Sequence, residues 1–120
     1  IRDSPQTVGM LDYHLFSQMR PDAAFINTGR GAQVVETDLV RALKEEPGRF
    51  ALLDVTWPEP VEPGHPFLRL PNVMLFPHIA GYAQREVLGM PDTMLEELRR
   101  YQAGEPLRFE VTMDMLDTMA

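Results

Sequence analysis

The chain has 120 residues, 44% of them hydrophobic, with a formal net charge of -7 and no cysteine. That length holds one small core, and the composition is ordinary for a folded domain, so wholesale disorder is excluded. The missing thiols exclude disulfides, thiolate nucleophiles and Cys-ligated zinc, and the acidic balance argues against a nucleic-acid partner, whose backbone is held mainly by Lys and Arg.

No apolar run approaches the ~20 residues needed to cross a bilayer, and no signal-peptide pattern opens the chain. No membrane partner is expected, and the default location is cytoplasmic. The opening Ile1-Arg2-Asp3-Ser4-Pro5-Gln6-Thr7 reads as a loop. It is expected to be a cut or processing point within a longer chain.

In chain order, Met10 to Met19 is read as a helix, because Leu11, Leu15, Phe16 and Met19 share one helical face and Pro21 follows it. Ala23 to Asn27 has the length of a buried strand, and Thr28-Gly29-Arg30-Gly31 punctuates it as a turn. Ala32 to Val35 is read as a short extended piece. A helix follows from about Thr37 to Glu46, with Glu36 or Thr37 at the cap position and Asp38 adding negative charge to the first turn. Phe50 to Val55 is a second buried strand. Five prolines between Pro58 and Pro71 then impose one long loop, since no regular element tolerates that density.

Asn72 to Phe76 is a third strand, and Pro77 to Tyr82 a strand-end loop. A long helix is expected over about Ala83 to Ala103, kinked or split at Gly89 and Pro91 and stopped by Gly104. The tail is read as one further short helix from about Thr112. Apolar strands alternating with helices predict an α/β fold: half of a Rossmann-type doubly wound parallel sheet, about three strands with flanking helices.

Ligands of open α/β sheets bind at the carboxyl ends of the strands. Those ends here carry Arg30, Asp54 with Glu59 beyond it, and His78. Taken singly, Arg30 is a solvated charge, Glu59 a surface carboxylate and His78 a hydrogen-bonded structural histidine, as His14 and His65 are expected to be. Asp54 says more, because a carboxylate is costly to bury unpaired.

Together the four residues form a sensible site. A guanidinium holds a planar carboxylate through two bonds. A histidine beside a carboxylate is stabilised as imidazolium and exchanges a proton with a carbonyl oxygen. The set suits reduction of a 2-oxo acid, with Arg30 on its carboxylate and ketone, His78 as acid/base and Glu59 as the partner of His78. No His-x-His or His-x-x-x-His spacing supports a metal site, and no Gly-x-Ser-x-Gly supports a hydrolase nucleophile. The Gly-x-Gly-x-x-Gly that cradles a dinucleotide pyrophosphate is also absent.

Asn27-Thr28-Gly29-Arg30-Gly31 resembles the Asn-x-x-Arg-Gly signature of the D-isomer-specific 2-hydroxyacid dehydrogenases. Asp54-Val55 followed by Glu59-Pro60 is similar to that family's Asp-Val…Glu-Pro segment, and Pro77-His78-Ile79-Ala80-Gly81 to its Pro-His-x-x-Gly segment. Ser4-Pro5-Gln6-Thr7 resembles its Thr-Pro-x-Thr loop. The four stand in family order over roughly residues 4 to 110.

The resemblance implies that Arg30, Glu59 and His78 are catalytic. It also implies that Thr7, Thr28, Arg30, Asp54, His78, Ala80 and Gly81 meet the cofactor, which by family default is NAD. It implies residues 1–106 as the second half of the NAD-binding domain, 107–120 as a C-terminal tail, and a homodimer. The expected activity of the whole enzyme is hydride transfer between a nicotinamide and a small D-2-hydroxy acid or 2-oxo acid. This chain alone is expected to bind cofactor weakly and catalyse little. The alternatives are an NAD-sensing corepressor-like binding module and a structural domain stub without activity of its own. The preference for NAD over NADP, and the particular acid, are not legible here.

Overall fold

The computed structural model describes residues 4–81 and 85–117. The expected opening loop at Ile1-Arg2-Asp3, the end of the strand-end loop at Tyr82 and the helix start at Ala83 lie outside those residues. The chain divides into two compact units, Ile1–Ala80 and Gly81–Ala120.

The first unit is built on three parallel strands, β1 (Ala24–Asn27), β2 (Phe50–Leu53) and β3 (Val73–Leu75), in the order β1-β2-β3. Asn27 pairs with Leu53 and Leu53 with Leu75, so the three carboxyl ends are level. Helix α2 (Glu36–Glu45) crosses from β1 to β2. Its stripe of Leu39, Val40 and Leu43 is buried together with Ala51, Leu53 and Phe67. Each such leucine contributes roughly 1.5–3 kcal/mol. Ile26, Met74 and Phe76, at alternating positions in and beside the strands, are exposed instead.

Two buried polar side chains tie the connections to this core. Arg49 donates to the carbonyls of Ser17, Met19 and Ala42, and Asn72 to those of Leu43 and Arg49. Of these acceptors, Ser17 and Leu43 lie in the last turns of helices, where carbonyls run out of intrahelical donors.

Several boundaries differ from the sequence expectation. Helix α1 covers only Tyr13–Ser17, because Leu11 is extended and forms a parallel bridge with Val34, and Asp12 caps the helix by accepting from the Leu15 N–H. Residues Gly31–Gln33 form a 3-10 turn, so the extended piece expected over 32–35 shrinks to that bridge. Helix α2 begins at Glu36 without any side-chain cap, and the Asp38 carboxylate accepts the Tyr13 N–H at 3.0 Å. Strand β2 stops at Leu53. The proline-rich loop contains a 3-10 turn, Pro66–Leu68, that plants Phe67 in the core.

Helices α1 and α2 are also joined at the surface. The Tyr13 hydroxyl donates to Glu45 at 2.6 Å, Arg41 reaches the same carboxylate at 2.8 Å, and the Arg41 guanidinium lies 3.7 Å from the centre of the Tyr13 ring. The Tyr13 bond, with Arg41 adding to it, holds the Glu45 carboxyl below its ordinary 4.5. A carboxyl lowered by folding stabilises the fold above its unfolded value, and the gain is lost as pH falls through its folded value. Glu45→Gln is therefore expected to flatten the acid side of the stability profile below about pH 4.5. Denaturant midpoints measured from pH 3 to 8 check this; parallel wild-type and variant curves would contradict it.

In the second unit, helix α3 (Arg85–Ala103) is one continuous element through Gly89 and Pro91, not two abutting helices. The Thr93 hydroxyl donates to the Gly89 carbonyl one turn back, beside the site where proline removes a donor. Gly104, at φ +68°, ends the helix as expected, and the Glu105 N–H donates to the Arg100 carbonyl. The Glu97 carboxylate accepts from the N–H groups of Arg108 and Phe109 and folds the tail back along α3. Residues Met113–Asp117 are a 3-10 helix. No helix among the described residues is long and apolar enough to cross a membrane.

Candidate active site

The level strand ends deliver three segments to one edge of the sheet. Beyond β1 the chain turns sharply, and the turn is shaped from beneath by Asn27, which is buried. Its carboxamide oxygen accepts the Gly29 N–H at 3.0 Å, and its nitrogen donates to the Arg30 carbonyl at 3.0 Å. Arg30 is thus presented outward, with its guanidinium donating to the Gly29 carbonyl at 2.9 Å. The next residue, Gly31, lies directly on the backbone of Thr56. The Arg30 turn and the start of the proline-rich loop are therefore in backbone contact.

Beyond β3, His78 takes a left-handed backbone, φ +53°. Such a conformation costs a residue other than glycine on the order of 1–2 kcal/mol and persists where its surroundings impose it. Here Asp54 imposes it. Buried at the end of β2, its two carboxylate oxygens accept the N–H groups of Ile79 and Ala80, each at 2.8 Å. The His78 ring then meets the proline-rich loop, with Nδ1 2.8 Å from Glu59 Oε1 and both side chains about half exposed. A carboxylate on Nδ1 holds the neutral ring with its proton on that nitrogen and leaves Nε2 for other work.

Asp54→Asn offers one oxygen where two N–H groups need acceptors. It is expected to cost about 1.5–3 kcal/mol of stability and to release the His78 turn. Chemical unfolding measures the first, and loss of the restrained Ile79 and Ala80 amide signals in NMR the second. Unchanged amide protection at both residues would contradict it.

Two recesses flank this turn. One, of about 320 Å³, has an apolar floor of Ile26, Leu52, Phe76 and Ile79, with Thr28, Asp54 and Ala80 at its rim. The other, of about 540 Å³, is lined by Glu59, Pro60, Thr56 and Leu75 and shares Asp54 and Phe76 with the first. The structure thus joins Glu59 directly to His78, joins Asp54 to Ala80, and gathers Thr28, Asp54 and Ala80 around one recess. Arg30 turns to Gly29 instead. Thr7 accepts the Ser4 N–H at 2.9 Å, closing the 4–7 turn, and Gly81 is exposed at the start of the second unit.

A family model described as D-isomer specific 2-hydroxyacid dehydrogenase, NAD binding domain, matches residues 1–80. The chain belongs to this dehydrogenase family. Glyoxylate/hydroxypyruvate reductase A of Photorhabdus laumondii is 39% identical to it over 103 residues, covering 86% of this chain and 32% of that protein. The human glyoxylate reductase/hydroxypyruvate reductase is 36% identical over 110 residues, covering 92% and 34%. This dehydrogenase chain therefore spans about a third of the length of the curated relatives it matches. Among solved structures, the NADPH-dependent glyoxylate/hydroxypyruvate reductase of Sinorhizobium meliloti, in complex with NADP and sulfate, superposes with a TM-score of 0.77 at 32% identity, covering 92% of this chain and 36% of that one. The three parallel strands are thus those of a dehydrogenase nucleotide-binding domain.

Sequence reasoning passed over three residues that shape the site. Sequence pattern shows Asn27 only as part of a motif, although an Asn at a strand end two residues before Gly is a turn-former. Gly31 betrays itself only by the close approach of Thr56. Glu36, read as a cap, points its carboxylate away from its own helix. It accepts the Trp57 N–H at 2.8 Å and lies 3.3 Å from His65 Nε2. Burial pushes the Glu36 carboxyl up, against the opposing pull of Trp57 and His65.

Proposed function

We propose that this chain supplies the catalytic half of an oxidoreductase that reduces a small 2-oxo acid to the 2-hydroxy acid with NADH or NADPH. The observation that carries this reading is the 2.8 Å contact of His78 with Glu59 at the carboxyl edge of a parallel sheet, beside an apolar recess. The recess fits a flat, weakly polar ring, and the Asp54 and Thr28 side chains at its rim suit a carboxamide. No Gly-x-Gly-x-x-Gly occurs in the sequence, so the pyrophosphate is assigned to another part of the enzyme.

Thr28, Asp54 and Ala80 would hold a reduced nicotinamide in the recess, where it would supply the hydride for the carbonyl carbon. The chain's residues do the rest. Arg30 holds the carboxylate of the acid and polarises its ketone. His78 Nε2 gives a proton to the ketone oxygen, and the Glu59 carboxylate orients the ring through Nδ1. In the reverse direction His78 takes the hydroxyl proton. Glyoxylate and hydroxypyruvate are the first substrates to try, because relatives carry those names. NAD is the expected cofactor, and the NADPH-dependent S. meliloti relative makes NADPH the competing one. The same reading takes the enzyme as a homodimer, so a monomer in sedimentation counts against that part of it.

Binding tests the reading on the chain itself. Titrating labelled chain with nicotinamide mononucleotide and oxamate should shift the amide signals of Thr28, Ile79 and Ala80 with the first ligand, and that of Arg30 with the second. Shifts confined to α3, or none at millimolar ligand, would refute it.

A further inference from the structure

Glu59 can pair with His78 only if the proline-rich loop is held in place, and the loop has few means of holding itself. Of the four residues Trp57-Pro58-Glu59-Pro60, the two prolines have no N–H to give. The Trp57 side chain is exposed, so burial of the indole does not anchor this stretch. The loop is instead tied at both ends to one partly buried carboxylate. Glu36 Oε1 accepts the Trp57 N–H at 2.8 Å, and Oε2 lies 3.3 Å from His65 Nε2, with the Glu36 side chain only 12% exposed. His65 in turn accepts the Phe67 N–H on Nδ1 at 3.3 Å, which puts its proton on Nε2, facing Glu36. Trp57 and His65 therefore bracket the segment that carries Glu59, and α2 supplies the bolt.

We propose that Glu36 is a positioning residue for the acid/base pair, acting through Trp57 and His65 to fix Glu59 against His78. The proposal rests on the reading of Glu59 and His78 given above. Gln is nearly isosteric with Glu but cannot satisfy both neighbours. Its carboxamide presents one oxygen to two donors, so either Trp57 or His65 faces an NH2 group.

The first test uses the chain alone. Hydrogen exchange at the Trp57 amide, or at the Phe67 amide that His65 accepts, should quicken by about ten-fold or more in Glu36→Gln, with exchange in β2 unchanged. Unchanged exchange at both amides would overturn the proposal. The second is a double-mutant cycle in the enzyme that carries this chain. Glu36→Gln is expected to lower kcat about ten-fold with KM changed less than about two-fold, as a misplaced catalytic group does. In a Glu59→Gln background the same change should cost under about two-fold, because its target is already gone. Losses that multiply in the double variant would show that Glu36 acts on the fold at large and would overturn the proposal. A Glu59→Gln enzyme with full turnover would instead overturn the underlying reading of the pair, and the proposal with it. Glu36→Asp, which keeps the charge but shortens the reach, should restore part of kcat; no recovery, with Trp57 exchange restored, would also count against it.

Discussion

Replacing Gly31 by Ala is expected to lower turnover by about 100-fold or more, out of proportion to the single methyl group added. A Cβ on Gly31 would lie 2.1 Å from the carbonyl oxygen of Thr56, 2.2 Å from its carbonyl carbon and 2.8 Å from its Cα. These are backbone atoms and cannot swing aside as the end of a long side chain could. Either the Arg30 turn or the loop leading to Glu59 has to retreat, and the two carry different parts of the proposed machinery. Displacing a reacting group by about 1 Å costs on the order of 10²-fold in rate. The methyl group also overpacks a buried position, which adds roughly 1–3 kcal/mol of lost stability. Steady-state kinetics beside a thermal melt separates the two effects, since wild-type turnover at temperatures where the variant stays folded would contradict the first.

His78→Gln is expected to reduce kcat by about 10²–10⁴-fold, the usual worth of a positioned acid/base group. Gln reaches a similar distance and still bonds Glu59, but it has no proton to give near neutral pH. Glu59→Gln should cost less than His78→Gln, because it removes the partner and leaves the proton carrier. The ratio of kcat values with reduced cofactor and glyoxylate measures both. A His78→Gln enzyme within ten-fold of wild type would mean that the proton comes from another group.

Much of this arrangement was legible in the sequence, because it depends on local pattern. The runs Phe25-Ile26 and Ala51-Leu52-Leu53 are too short and too apolar for surface helices, and α2 shows its stripe at 39, 40 and 43. Arg30 between two glycines and His78 after Pro77 stand just past strand ends, and Asp54 ends an apolar run, which places all three at the sheet's carboxyl edge.

The features that escaped are meetings of segments distant in the chain. Leu11 left its expected helix because Val34 offered it a bridge. Asp54 reads as a solitary carboxylate until the turn at 79–80 folds over it, about 25 residues later in the chain. Glu36 occupies the position of a cap, and nothing local says that Trp57 and His65 will each meet one of its oxygens. Arg49 and Asn72, both buried, look like ordinary surface polars until the helix ends they serve are in place. Composition and periodicity carry no trace of such contacts, because they arise when crossovers bring loops together.

Tracing hydride transfer tests the central reading most directly. The enzyme that carries this chain together with a pyrophosphate cradle would be given NADH or NADPH deuterated at C4, with glyoxylate, hydroxypyruvate and larger 2-oxo acids in turn. Deuterium at C2 of the hydroxy acid, transferred by wild type and lost in His78→Gln, is the predicted result. Reduced cofactor that binds but passes no label to any 2-oxo acid, or label transfer indifferent to His78, would contradict it.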